Sequence, residues 1–450
     1  MAVDIPRETA LKILIDINEK GAYSNISLDR HLERSDLKGT DRAFITELVY
    51  GTMKWRLSID FIIERFSSVK LSKISKPIMN ILRLGVYQLM YTDRIPASAA
   101  CNESVTLAKK YGHSASGGFV NAVLRNISRN TDKIDYPDKT KELIKYLSVK
   151  YSHPQWMVQE WVKSYGEDFT EELLKSNNRT PDFIVRVNTL KTTRQDLIET
   201  LSKDGLEASE GKHANEAVVI KNPSSVARLS SFKEGLFQVQ DESSMLVASI
   251  LDPKPDSLVI DACSAPGGKA THIAQLMKNR GKIIARDVHE HKIRLISESA
   301  ERLGITIIEP EVFDSEGPDT KYSKRADAVL VDAPCSGLGI IRRKPDIKWT
   351  RKPEDLKEIT GLQKKILLSS SESVKPGGTL VYSTCTLGSM ENEDIVKWFL
   401  GENREFYLED ITELLPKGLQ KATSNQGFIK LYPNTDGIDG FFIARMRRRG

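Results

Sequence analysis

Leu258-Val259-Ile260-Asp261-Ala262-Cys263-Ser264-Ala265-Pro266-Gly267-Gly268-Lys269 is a short apolar run, an acid, and a loop with paired glycines that opens a helical stretch at 270–279. That order predicts a strand whose C-terminal end feeds a ligand loop, because Gly267 and Gly268 permit close backbone approach and positive φ. Further apolar runs at 282–285, 305–308, 328–331 and 379–382 alternate with helical stretches at 289–303, 354–372 and 391–400. The alternation predicts a doubly wound, Rossmann-like α/β sheet.

Ligands in such a sheet sit beyond the carboxyl ends of the strands, where Asp261, Asp287, Asp314 and Asp332 fall. The glycine loop is neither G-x-G-x-x-G nor a Walker loop. Asp287 follows Gly268 by 19 residues, near the spacing at which an acid accepts from ribose hydroxyls. An adenosine moiety follows, and S-adenosylmethionine is favoured over NAD because Pro266 and Lys269 interrupt the helix N-terminus that a pyrophosphate needs. Lys269 stands where the helix dipole disfavours a cation, so it calls for a carboxylate or substrate partner. Asp261 reads equally as a structural acid capping the loop through backbone N–H groups.

The chain has four cysteines. Cys335, in Asp332-Ala333-Pro334-Cys335-Ser336-Gly337, and Cys385, in Ser383-Thr384-Cys385-Thr386, each follow a strand-like run, which places two thiols at the mouth of one sheet. Methylation of a pyrimidine at carbon 5 needs such a set: a thiolate adds to carbon 6, an acid assists at N3, and a second thiol can help the adduct resolve. Cys101 reads as a buried, inert thiol, and Cys263 reads more weakly so. The wide cysteine spacing forms no disulfide framework or metal pattern and fits a reducing cytoplasm. The histidines form no metal set either, since His289-Glu290-His291 lacks H-E-x-x-H spacing.

At 450 residues, 28% of them charged, and with no apolar run long enough to span a bilayer, the chain reads as soluble, multidomain and free of a secretory signal. Residues 1–140 hold 21 Lys/Arg against 16 Asp/Glu and the remainder 45 of each, so the net charge of +5 lies in the first third. Apolar residues recur there at helical spacing, predicting an all-α domain over 1–140 that suits a polyanion. A small α+β, RRM-like domain is expected over 141–235 and the Rossmann-like methyltransferase domain over 236–450. The run Ile341-Arg342-Arg343-Lys344-Pro345-Asp346-Ile347-Lys348-Trp349-Thr350-Arg351-Lys352 offers six cations and a tryptophan and reads as a nucleic-acid-facing rim. Arg445-Met446-Arg447-Arg448-Arg449 reads as a solvated tail.

Asp261 to Lys269, Asp332-Ala333-Pro334-Cys335-Ser336-Gly337-Leu338-Gly339, Ser383-Thr384-Cys385 and Asp439-Gly440-Phe441-Phe442 together resemble the NOL/NOP2/Sun family of RNA cytosine-5 methyltransferases, over about residues 180–446. The helical N-terminus resembles the NusB-like RNA-binding domain that marks the bacterial 16S rRNA member of that family. The resemblance implies Cys385 as nucleophile, Cys335 assisting product release, and Asp332 facing cytosine with Lys269. It also implies an S-adenosylmethionine site made by Cys263, Ser264, Ala265, Pro266, Gly267, Gly268 and Lys269 with Asp287, Asp314 and Asp332. A monomer acting on 16S rRNA, without metal or membrane, is expected. Phe313-Asp314-Ser315 departs from the glycine-flanked setting usual for the third acid. Two other classes stand beside this reading: an antitermination-like RNA-binding protein with an idle catalytic domain, and a DNA cytosine methyltransferase.

Overall fold

Apolar residues at helical spacing bury one face of each helix Ile5–Lys20, Gly39–Lys54, Arg56–Phe66, Ala97–Tyr111 and Ser116–Ser128 against the helix Lys76–Tyr91. That central helix is buried almost all round, from Ile78 to Gln88, as a core helix must be. Close packing demands glycine at two contacts: a Cβ on Gly51 would fall 2.0 Å from the Tyr87 ring, and one on Gly85 2.7 Å from Leu124. The computed structural model describes residues 3–33, 37–221, 223 and 226–450. They form two units, Met1–Thr180 with Ile341–Thr350, and Pro181–Ile340 with Arg351–Gly450. The first unit therefore takes in the helices Leu143–Tyr151, Gln155–Tyr165 and Glu167–Asn178.

Lys348 and Trp349 depart from the expected nucleic-acid-facing rim, whereas Lys344 and Lys352 are exposed. Ile341, Asp346 and Lys348 are buried within the helical unit. Lys348 Nζ donates to the carbonyls of Lys54 and Ser152, both at 2.7 Å, and to Asn178 Oδ1 at 3.4 Å. Trp349 Nε1 donates to Met53 O at 2.7 Å, its ring lies 5.4 Å from the Arg56 guanidinium, and Asp346 accepts from the Ser24 hydroxyl at 2.6 Å. The reason is saturation: these side chains satisfy helix carbonyls that would otherwise be orphaned, which leaves the indole unfit as a stacking platform.

In the second unit, β1 (Phe183–Val187), β2 (Ala208–Glu210), β3 (Ala217–Ile220) and β4 (Phe237–Val239) form an antiparallel sheet in the order β2-β3-β1-β4, covered by the helix Arg194–Lys203. The strand expected at 186–190 lies three residues earlier. Asn188 ends it, its amide donating to the carbonyls of Gly235 and Leu303.

The larger sheet contains β5 (Leu258–Asp261), β6 (Lys282–Asp287), β7 (Ile308–Val312), β8 (Ala326–Asp332), β9 (Val374–Thr384), β10 (Phe406–Leu408), β11 (Phe428–Leu431) and β12 (Phe441–Arg448), in the order β10-β12-β9-β8-β5-β6-β7 with β11 on β12. The five strands β5 to β9 are parallel, and β10 to β12 pair antiparallel. The order reverses between β5 and β8, the switch point at which α/β sheets open a ligand crevice. β7 starts later than its apolar run suggests, because Ile305 N–H closes on Ala300 O after the left-handed Gly304 (φ +73°) that caps the preceding helix. The C-terminal arginines are not a tail. Arg445 and Arg448 lie in β12 and are buried, Arg445 donating to Ile250 O, Leu251 O and Glu409, and Arg448 to Val374 O and Glu405.

Candidate functional site

Each residue at the switch point is presented by the end of a parallel strand. After β5, the loop turns at Gly267 (φ +97°), where a Cβ would meet the Ile296 backbone at 3.1 Å, and the helix Gly268–Leu276 begins. The turn is closed by Ser264 N–H on Arg286 O and Gly267 N–H on Ser264 O, both at 2.7 Å. From the opposite side, the buried Arg186 of β1 donates to Gly268 O at 2.8 Å and Thr271 Oγ1 at 3.1 Å, so the small sheet braces the loop.

Lys269 has the carboxylate its position calls for. Its Nζ lies 2.7 Å from Asp332 Oδ2, at the end of β8, and 5.3 Å from the Phe441 ring centroid. Asp332 Oδ1 accepts from Ser383 Oγ at 2.8 Å, which links the ends of β8 and β9. Burial opposes the charge on Lys269, yet the adjoining Asp332 carboxylate outweighs it and holds the pKa above the usual lysine value.

One residue beyond β9 stands Cys385, and its Sγ lies 3.2 Å from Cys335 Sγ in the loop after β8. Both thiols are half-buried. The hydrogen bond with Cys385, then burial, then the charges of Cys385, Glu391 and Asp332 raise the Cys335 pKa well above the usual thiol value, which keeps a proton on that sulfur. Gly440 explains part of the Asp439-Gly440-Phe441-Phe442 pattern. Its N–H donates to Gly339 O, Gly339 N–H donates to Cys385 O, and a Cβ on Gly339 would fall 2.1 Å from Gly440 O.

Asp261 is fully buried, and among the described residues neither carboxyl oxygen meets hydrogen-bond geometry; the Cys263 amide and Ser264 hydroxyl lie close enough to favour its charged form, so its capping contact with the loop is a loose one. Burial pushes its pKa up to about 7, with the neighbouring Ser264 hydroxyl and Cys263 amide offsetting only part of the effect. Burial likewise raises the Cys263 thiol, which packs half-exposed beside the loop, and the Cys101 thiol, which is buried in the helical unit.

Asp287 ends β6, and its Oδ1 accepts from His289 N–H at 3.0 Å and lies 3.5 Å from Lys292 Nζ, which among the described residues leaves Oδ2 available. Asp314 is exposed just beyond β7, its Oδ1 accepting from Glu316 N–H at 3.0 Å. Its neighbours hold that segment: the Ser315 hydroxyl donates to Ala262 O at 2.8 Å, and the buried Arg286 guanidinium lies 4.0 Å from the Phe313 ring centroid. The residues fit an adenosyl cofactor. A Cβ on Gly268 would meet nothing within 4 Å, Asp287 keeps a free acceptor, and Val288 and Val312 offer apolar surface, 55% and 53% exposed, at the ends of β6 and β7.

From the sequence Ser383 and Glu391 take no role, and Arg351 reads only as one cation of the nucleic-acid-facing run. Arg351 Nε donates to Ser336 O at 3.0 Å, on the Cys335 loop. Ser383 was visible as a polar residue two positions before the thiol, whereas Arg351 was absorbed into the basic run and Glu391 into the charges opening a helix. Among the described residues no helix is long and apolar enough to cross a membrane, and no group of His, Cys, Asp and Glu could hold a metal ion.

Three families match successive parts of the chain: the NusB family over residues 4–129, the ferredoxin-like domain of RsmF/B-like methyltransferases over 153–227, and 16S rRNA methyltransferase RsmB/F over 248–447. A probable ribosomal RNA small subunit methyltransferase B of Bacillus subtilis is 40% identical over 446 residues, 99% of each chain. Its counterpart in Synechocystis is 35% identical, over 98% of this chain and 99% of the relative. The crystal structure of PH0851 superposes with a TM-score of 0.82 at 29% identity, covering all of both chains.

Proposed function

The chain belongs to the 16S rRNA methyltransferase RsmB/F family, and from that premise we propose that it methylates carbon 5 of a cytosine in 16S rRNA through a covalent cysteine–cytosine adduct. The observation that carries this reading is the 3.2 Å approach of Cys335 and Cys385 beside the Lys269–Asp332 pair. When bound, S-adenosylmethionine supplies an electrophilic methyl group. Cys263, Ser264, Ala265, Pro266, Gly267, Gly268 and Lys269, with Asp287, Asp314 and Asp332, would hold it.

Cys385 is the nucleophile. Its thiolate adds to carbon 6 and turns carbon 5 into an enamine carbon. Asp332 presents its carboxyl to the N3 side of the ring, oriented by Ser383 and Lys269. As the carbon-5 proton leaves to solvent water and its electron pair restores the ring double bond, the bond from carbon 6 to sulfur breaks, and Cys335, whose proton is held by its surroundings, gives that proton to the departing Cys385 sulfur. RNA binding is assigned to the helical residues 1–140 and catalysis to the unit that begins at Pro181, whose small sheet runs on to Val239. The protein acts as a cytoplasmic monomer.

A denaturing gel of each cysteine variant with 16S rRNA fragments and S-adenosylmethionine tests these roles. Cys385→Ala should abolish methylation and give no retarded protein–RNA band, whereas Cys335→Ala should accumulate one. Exchanged outcomes would assign attack to Cys335, and full turnover by both variants would refute the covalent mechanism. DNA in place of RNA should not be methylated.

A further inference from the structure

Glu391 lies in the short turn Ser389–Glu391 and is 2% exposed. Its Oε2 accepts from the Ser336 N–H at 2.8 Å and from Gln363 Nε2 at 3.1 Å, and its Oε1 accepts from the Ser336 hydroxyl at 2.5 Å. The Ser336 hydroxyl lies 2.7 Å from Thr386 Oγ1, which is itself 3.4 Å from Glu391 Oε1. Ser336 is the residue after Cys335, and Thr386 is the residue after Cys385. The same amide of Gln363 also donates to Pro334 O at 2.9 Å, on the other side of Cys335. Glu391 is fixed in turn, its own carbonyl accepting from the Tyr382 hydroxyl of β9 at 2.7 Å.

A buried carboxyl is expensive unless its oxygens are saturated. Here the groups saturating it are the loops that carry the two thiols. Those loops leave neighbouring strands, with their thiols 50 residues apart in the chain; the backbone ties them four residues beyond Cys335, where Gly339 N–H donates to Cys385 O, and the Glu391 carboxyl ties them at the residue next to each thiol. We propose that Glu391 is a positioning residue, whose carboxyl bridges the Cys335 and Cys385 loops and sets the distance between the two sulfurs. The proposal rests on the thiol roles given above for its catalytic consequence, but not for its geometric one.

Two substitutions separate reach from charge. Glu391→Asp keeps the charge and shortens the arm by about 1.5 Å, so it can no longer span both loops. Glu391→Gln keeps the reach: its amide oxygen can accept from Ser336 N–H and Gln363, while its amide nitrogen donates to a Ser336 hydroxyl turned toward Thr386. The readout is oxidation of Cys335 and Cys385 by diamide in the full chain, each thiol giving its hydrogen to the diazene, which becomes a hydrazine, as the disulfide forms. The sulfurs must close to about 2.05 Å, so the rate reports their alignment; linked peptides are quantified by mass spectrometry.

Glu391→Asp should slow this oxidation about tenfold or more and lower kcat in parallel, with the KM for RNA and the Kd for S-adenosylmethionine unchanged, while Glu391→Gln stays within about threefold of the parent. Parent-like oxidation in Glu391→Asp, or equal loss in both variants, would overturn the positioning role. The oxidation rates stand on their own should Cys385→Ala prove active, since that result would remove the catalytic reading and leave the geometric one.

Discussion

Asp261 sits in an environment far from that of its free side chain. Folding withdraws its carboxyl from water and gives it no contact of hydrogen-bond geometry among the described residues, and its pKa rises from 3.8 to about 7. Between those values the unfolded chain releases a proton that the folded chain keeps, so the folded state loses stability as pH rises through the window, and the loss is complete above about pH 7. By linkage the drop between pH 5 and pH 8 is about 3 kcal/mol. Asp261→Asn cannot ionise and should escape it: the melting temperature of the variant should gain on that of the parent as pH goes from 5 to 8. Parallel pH profiles would show that Asp261 is already ionised in the fold. Lys269 and Asp332, 2.7 Å apart, illustrate the opposite arrangement, in which each charge answers the other.

At the scale of elements, what could be read in the sequence was what depends on local pattern. β5, β8 and the apolar centre of β9 are buried on both faces and so appear as apolar runs. The loops after them carry the glycines and thiols that mark the crevice, which is why Lys269, Asp332, Cys335 and Cys385 could be grouped before any coordinates. Partners distant in sequence left no such trace. β12 was hidden by its arginines, because Glu405 and Glu409, which receive them, lie about 40 residues away. Glu391 looked like one more acid in Met390-Glu391-Asn392-Glu393, and Lys348 looked like one more surface cation. Lys348 yields the prediction for this scale. Burial, aided by nearby Lys54, pushes its pKa well below the usual lysine value, yet its Nζ still serves two carbonyls at 2.7 Å. Lys348→Met fills the same space and orphans both carbonyls, each worth about 1–3 kcal/mol when left unpaired in a buried site. Amide exchange should therefore quicken in the helices Gly39–Lys54 and Leu143–Tyr151, with β5 and β8 unaffected. Unchanged protection in those helices would mean that water reaches the carbonyls.

On the scale of the whole molecule, the chain passes between the two units three times, after Thr180, after Ile340 and after Thr350. A protein cut at residue 180 is therefore not divided along its units: the catalytic piece keeps Ile341–Thr350, a segment whose buried faces belong to the helical unit. In that piece Trp349 loses the apolar core it packs against, and Ile341, buried in the full chain, loses the unit it belongs to; exposed apolar residues of this kind drive association. Residues 181–450 alone should self-associate, and Ile341→Ser with Trp349→Ser should return the piece to a monomer on a sizing column. The helical piece suffers the complementary loss, because the carbonyls of Met53, Lys54 and Ser152 lose the donors that Trp349 and Lys348 supply. A synthetic peptide of residues 341–350 binds only the folded form of that piece, so it should raise the melting temperature of residues 1–180 in proportion to the logarithm of its concentration. A helical piece indifferent to the peptide, together with a catalytic piece that is monomeric without substitution, would show that the segment folds onto the helical unit for lack of other room and contributes nothing to it. If the peptide does stabilise, any loss of rRNA methylation on truncation has two candidate causes, the absence of the helical domain proposed to bind RNA and a freed segment six residues downstream of Cys335, and only the substituted catalytic piece can tell them apart.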